Sequence, residues 1–140
     1  MKKQLLALFG LGLLLATALA YAQSINLKAD VPFNFVVTGE TLPSGEYTIR
    51  SERNTDHTLT ITGVGQTSRV LLAYPCLTLK GGRRSDQTKL VFNRYGNHYF
   101  LSEIWVEGNR EGQKLHKTRR EVEMAQNNRL QQAVVVAELR

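Results

Sequence analysis

Val31, Phe33, Phe35 and Val37 are apolar at every second position, and Asn34 lies between Phe33 and Phe35. That is the period of a strand with one buried face. Leu42-Pro43-Ser44-Gly45 then places Pro at the second and Gly at the fourth position of a type I turn, and Glu46-Tyr47-Thr48-Ile49-Arg50 resumes the alternation. Asn54-Thr55-Asp56 is turn chemistry. Thr58-Leu59-Thr60-Ile61-Thr62 follows, with β-branched threonines on one face and Leu59 and Ile61 on the other. After a turn at Gly63-Val64-Gly65, the run Val70-Leu71-Leu72-Ala73-Tyr74 lacks alternation. Within Arg69 to Leu79 this predicts a strand covered on both faces, with Pro75 marking a bulge, an edge or a break.

Lys80 to Asp86 reads as a polar loop. Lys89 to Arg94 and His98 to Val106 predict two strands joined at Tyr95-Gly96-Asn97, where Gly and Asn tolerate tight hairpin geometry. Strict alternation puts Phe100, Ile104 and Val106 on one face of the second strand, and Tyr99, Leu101, Glu103 and Trp105 on the other. Gly108 to Gln113 reads as a flexible loop. Thr118 with Glu121 three residues on forms a capping box for a short helix through about Asn127. Ala133-Val134-Val135-Val136-Ala137 is β-branched at its centre, which favours a closing strand, with a helix over Ala133 to Leu139 as the alternative. Together these elements predict a mostly β fold, an antiparallel β-sandwich or barrel of about seven to eight strands with one short helix in the C-terminal region.

Composition changes the picture at the N-terminus. Lys2 and Lys3 precede the apolar stretch Leu5 to Leu15, and Ala20-Tyr21-Ala22 suits a signal peptidase. Residues 1–22 are expected to be a signal peptide and 23–140 a single β-rich domain, with cleavage after Ala22 or, in competition, after Ala20. The expected address is periplasmic or secreted, with no transmembrane segment after cleavage. The remainder carries 16 Lys and Arg against 12 Asp and Glu, a moderate excess that rules out a polycationic protein. The single cysteine, Cys76, cannot staple the domain, so the core must hold it; in its apolar setting it reads as a buried small hydrophobe.

Three segments, Val31-Pro32-Phe33-Asn34-Phe35, Leu42-Pro43-Ser44-Gly45-Glu46-Tyr47 and the run from Leu90-Val91-Phe92-Asn93-Arg94-Tyr95 through Tyr99-Phe100-Leu101-Ser102-Glu103-Ile104-Trp105, together resemble a group of small exported proteins of environmental Gram-negative bacteria. The third segment is the most specific. The second also resembles a turn of many extracellular β-sandwich modules. The resemblance implies an exported, β-rich protein and carries no activity.

Candidate chemistry is sparse. His57, His98 and His116 lack metal-ligand spacing, no Gly-x-Ser-x-Gly elbow occurs, and Gly81-Gly82-Arg83-Arg84-Ser85 lacks the Lys-Ser/Thr of a phosphate loop. No metal and no cofactor are expected. Glu103, among apolar neighbours, is expected to pair structurally, with Arg94 across the hairpin as partner; a second carboxylate for glycosidase work cannot be named. Lys80, Arg83 and Arg84 form one basic cluster, and Lys114, Lys117, Arg119 and Arg120 around His116 form another; two such patches could grip one polyanion. Arg119 and Arg120 fall in the helix's first turn, where its dipole disfavours positive charge. Tyr95, Tyr99 and Trp105 are the candidates for a sugar-stacking platform. The expected function is an exported, non-enzymatic β-sandwich module binding or organising a cell-envelope component, a polyanion or glycan. The alternative is a protein-interaction or inhibitor-like module docking a protein partner through a strand edge or hairpin. Nucleic acid is excluded as partner by compartment. The sequence leaves the oligomeric state open.

Overall fold

The computed structural model describes residues 25–51, 58–65, 70–73 and 75–140, without the side chains of 70–73 and 75–77. The expected signal peptide, the Asn54-Thr55-Asp56 turn, His57 and the Cys76 side chain lie outside the described residues. Among the described residues eleven strands and one helix follow in the order β1 (Ile25–Val31), β2 (Phe35–Val37), β3 (Glu40–Leu42), β4 (Gly45–Ser51), β5 (Leu59–Gly63), β6 (Val70–Ala73), β7 (Pro75–Lys80), β8 (Lys89–Tyr95), β9 (His98–Trp105), β10 (Glu111–Leu115), α1 (Arg119–Asn127) and β11 (Gln131–Leu139). The described residues are mostly β, with a single helix among them, in the C-terminal part, and a sheet that curls into a half-barrel. Among the described residues no helix is long and apolar enough to cross a membrane.

Hydrogen-bonded neighbours run β3-β2-β9-β8-β11-β1-β4-β5-β6. β7 starts two residues after β6 ends and pairs with β10, which in turn pairs with β9. The strands at the two ends of the described chain, β1 and β11, lie side by side. The ladder is antiparallel except where β2 meets β9 in parallel at Val36 and Phe100.

Alternation decides the core. Leu27, Ala29 and Val31 of β1, Tyr47 and Ile49 of β4, Leu59 and Ile61 of β5, and Val135 and Ala137 of β11 all point into one cluster. The three segments of the resemblance meet there. Phe33 stacks on Tyr99 at 3.8 Å and meets Phe92 edge-on, while Phe35 meets both Tyr47 and Phe92 edge-on. Asn34 Oδ1 accepts from the Ser44 amide, and the Tyr47 hydroxyl donates to the Pro43 carbonyl, so the Leu-Pro-x-Gly-x-Tyr turn is pinned at both ends.

Several expectations are corrected. The strand expected from Val31 to Val37 is broken after Val31, because Pro32 cannot continue the ladder. Its second half forms a tiny hairpin with β3 through Thr38 and Gly39, both at positive φ. Gly39 accepts that geometry readily, whereas Thr38, β-branched at φ 51°, is strained. The supposed flexible loop at Gly108 to Gln113 becomes β10 from Glu111 onward. The faces of β9 are not those of strict alternation: Val91 pairs with Glu103 but Phe92 with Leu101, so Ser102 is an extra residue in a β-bulge. Tyr99, Leu101 and Ile104 consequently face inward, and Phe100 and Glu103 face outward.

Candidate functional site

Thr118 caps α1 as expected: its hydroxyl accepts from the Glu121 amide at 3.4 Å. The reciprocal half of the capping box is not made. Glu121 turns instead onto the outer face of the sheet, where its Oε1 accepts from Asn93 Nδ2 at 2.8 Å and from the Tyr95 hydroxyl at 3.4 Å. Glu121 is only 3% exposed. Around it, Met124 and Ala125 of the helix pack on Val36, Tyr95 and Phe100. A carboxylate so buried stands only if hydrogen bonds replace its water, and both observed donors serve Oε1. Among the described residues the buried side-chain oxygens without a hydrogen-bond partner are Asn26 Oδ1 and Gln113 Oε1. Burial first, then the Glu121 charge and the hydrogen bond to it, push the Tyr95 phenol above its ordinary value.

A cavity of about 300 Å³ opens beside this carboxylate, lined by Val36, Thr38, Phe100, Leu101 and Leu115, by His116, Lys117 and Thr118, and by Glu121 itself. Its origin is topological. One edge of β9 is paired by β2 at Phe100 and by β10 from Glu103 to Trp105, which leaves Leu101 and the bulged Ser102 without a register partner on that side. The gap passes through the sheet, so the walls mix Val36 and Phe100 of the outer cluster with Leu101 and Leu115 of the inner core. Thr38, His116 and Lys117 are exposed at the rim, while Val36, Phe100, Leu101, Leu115 and Glu121 are buried.

The expected aromatic platform does not assemble. Tyr95 is 1% exposed beneath α1, Tyr99 is stacked on Phe33 at the inner side, and Trp105 lies on the outer side of β9, because the bulge separates their faces. Trp105 spreads over Gly112 of β10; a Cβ on Gly112 would come within 2.7 Å of the indole, and one on Gly81 within 3.3 Å. The indole Nε1 donates to Glu103 Oε2 at 2.9 Å. The expected Glu103–Arg94 pair is therefore absent: Arg94 faces Tyr99 across the hairpin, sits 5.4 Å from that ring, and donates to the Gly96 carbonyl.

The basic clusters are placed more coherently. Residues 81–85 and 108–110 are zipped together by three backbone hydrogen bonds, Gly81 to Arg110, Ser85 to Asn109 and Gly108 to Ser85. Lys80, Arg83 and Arg84 are thereby joined by Arg110, all exposed. Asp86, Glu107 and Glu111 share this region, but none of the four cations makes an ion pair with a described residue. β10 runs from this end to the second cluster, with Lys114 across from Glu103 and beside Trp105's glycine seat. An extended rise makes Arg110 and Lys117 at most about 23 Å apart. Arg119 Nε is 3.0 Å from Glu123 in an exposed i,i+4 pair, which offsets its unfavourable place on the helix dipole. Arg120 is exposed.

Arg110 and Glu121 were not legible as site residues. For Glu121 a signal existed: with Met124 and Ala125 it shares the i, i+3, i+4 stripe of α1, which marks a carboxylate on the packed face. Among the described residues no three His, Cys, Asp or Glu stand close enough to hold a metal ion. Compared with protein-family models, curated proteins and solved structures, the chain has no match.

Proposed function

We propose that the mature chain is an exported, non-enzymatic module that holds an anionic component of the cell envelope, a charged glycan or lipid headgroup polymer, along β10. The observation that carries this reading is the union of the two basic clusters by one strand: Lys80, Arg83, Arg84 and Arg110 at its start, Lys114 midway and Lys117 and Arg120 beyond its end. The zipped loops hold the first group without internal anions in contact, so their charge is free to meet a ligand. The Trp105 ring, spread on Gly112 in the middle of the stripe, adds an apolar surface for a sugar face.

Binding of the mature chain to lipopolysaccharide vesicles, followed by co-sedimentation at rising salt, tests the proposal. Affinity should fall steeply with ionic strength, and Lys80→Ala, Arg83→Ala and Arg84→Ala together should weaken it by about tenfold or more, equivalent to about 1.4 kcal/mol. Glu103→Gln should leave binding intact, because the amide oxygen can still accept from Trp105. Salt-independent binding, or binding indifferent to the triple substitution, would remove the basis of the reading. Turnover of an envelope polymer that Glu103→Gln abolishes would replace it with an enzyme.

A further inference from the structure

We propose that Trp105 and Lys89 seat one saccharide unit of the bound polymer, a pyranose ring that carries a carboxylate, as in a hexuronate. The inference rests on the β10 reading and narrows it from any polyanion to an acidic polysaccharide. Trp105 is the only tryptophan of the chain, and it packs against neither buried core cluster. A Cβ built on Gly112 would stand 2.7, 2.7 and 2.8 Å from its Cδ2, Cε2 and Cε3. Near-equal distances to three adjacent ring atoms put the strand backbone beneath the face of the six-membered ring rather than at its edge. The Nε1 donation to Glu103 Oε2 fixes the rotation of the indole on that seat. The residue is half-buried, and among the described residues no aromatic ring or cation lies over it. Its second face is therefore turned outward, and a flat, fixed, open indole face is what the C–H side of a sugar ring packs on.

Lys89 selects the charge. It stands directly across from Trp105 in the pairing of β8 with β9, on the same side of the sheet, because Leu90 and Ile104 turn the other way into the core. Directly opposed residues have Cβ atoms about 4.5–5.5 Å apart, so the ammonium rises beside the indole. Lys89 makes no ion pair with a described residue, and the neighbouring carboxylate, Glu103, is engaged by the indole N–H. A pyranose stacked on the ring projects an equatorial carboxylate from its own edge, at the level of that ammonium. Phosphate polymers answer the cation but offer the indole no C–H face; neutral glycans do the reverse. The strand beneath the ring runs from Arg110 towards Lys117, both exposed, so the units on either side of the stacked one meet cations too.

Fluorescence titration of the mature chain with tetragalacturonate is the experiment, with maltotetraose and tetrapolyphosphate as the uncharged and sugar-free counterparts. Trp105 is the sole tryptophan, so its emission reports this seat directly. Tetragalacturonate should change the emission saturably and shield the indole from acrylamide, and it should bind at least about tenfold more tightly than either counterpart. Lys89→Met should weaken tetragalacturonate by about threefold or more and leave maltotetraose unchanged. Equal binding of tetrapolyphosphate with the indole still open to acrylamide would overturn this inference alone and leave the β10 stripe standing. Equal binding of maltotetraose, or a Lys89→Met chain that binds tetragalacturonate as the parent does, would also overturn it. Binding of neither anion would remove the stripe and this seat together. The acrylamide measurement uses the unaltered chain, so the outcome does not depend on how a variant folds.

Discussion

Glu121 and Tyr95 show how one buried carboxylate sets the chemistry of its neighbour. The Tyr95 phenol is raised by burial, then by the Glu121 charge and the hydrogen bond to it, and the Tyr47 phenol is raised by burial. A phenol whose folded value is raised contributes stability that is complete below the ordinary value of 10.0 and is lost as pH rises through the higher folded value. The chain should therefore lose stability in the alkaline range above that value, and an ultraviolet phenolate titration should show late-ionising tyrosines. Glu121→Gln should move the Tyr95 transition earlier without restoring it to the ordinary value, since burial is the larger cause. Gly112 matters for a different reason, the indole 2.7 Å from where its Cβ would be. Gly112→Ala should cost about 1–3 kcal/mol in urea unfolding, because Trp105 must leave its seat. Gly82→Ala, where a Cβ meets nothing within 4 Å, should stay within about 0.5 kcal/mol of the parent.

Elements carry the next set of decisions. β11 reads Ala-Val-Val-Val-Ala, and nothing in that run says which valine faces the core. Pairing with β8 settles it: Val135 stands opposite Leu90 and is 9% exposed, while Val134 and Val136 are 52% and 60% exposed. Val135→Ala should destabilise by about 2 kcal/mol, from two lost buried methyl groups and the cavity they leave, and Val134→Ala by less than about 0.5 kcal/mol. A larger loss at Val134 than at Val135, measured by chemical denaturation, would mean that β11 is in the other register. β9 makes the same point through its bulge. Ser102 carries no chemistry of its own, yet by adding one residue it turns Phe100 outward to α1 and leaves Ile104 in the core. That single insertion builds the outer pocket for the helix and opens the gap between β2 and β10.

At the scale of the whole molecule, the curled sheet gathers one inner core from β1, β4, β5, β8, β9 and β11, and leaves the residues of the basic clusters at the surface. The basic stripe and the cleft both depend on β10, a strand that the composition Glu-Gly-Gln-Lys-Leu does not announce. Its strand character comes from β7 and β9 on either side and from the Trp105 ring that needs a glycine opposite. What the sequence alone determined is what repeats at short range: the inward alternation of β4 and β5, the Gly96-Asn97 hairpin, the Thr118 cap and the helix it starts. Those follow from a period of two, a turn, or a cap spanning three residues. The bulge at Ser102, the bonding of Glu121 to Asn93 and Tyr95, and the separation of Tyr95, Tyr99 and Trp105 were decided only in three dimensions. Each depends on which strand lies next to which, and a register or a buried partner 26 or 28 residues away leaves no local trace.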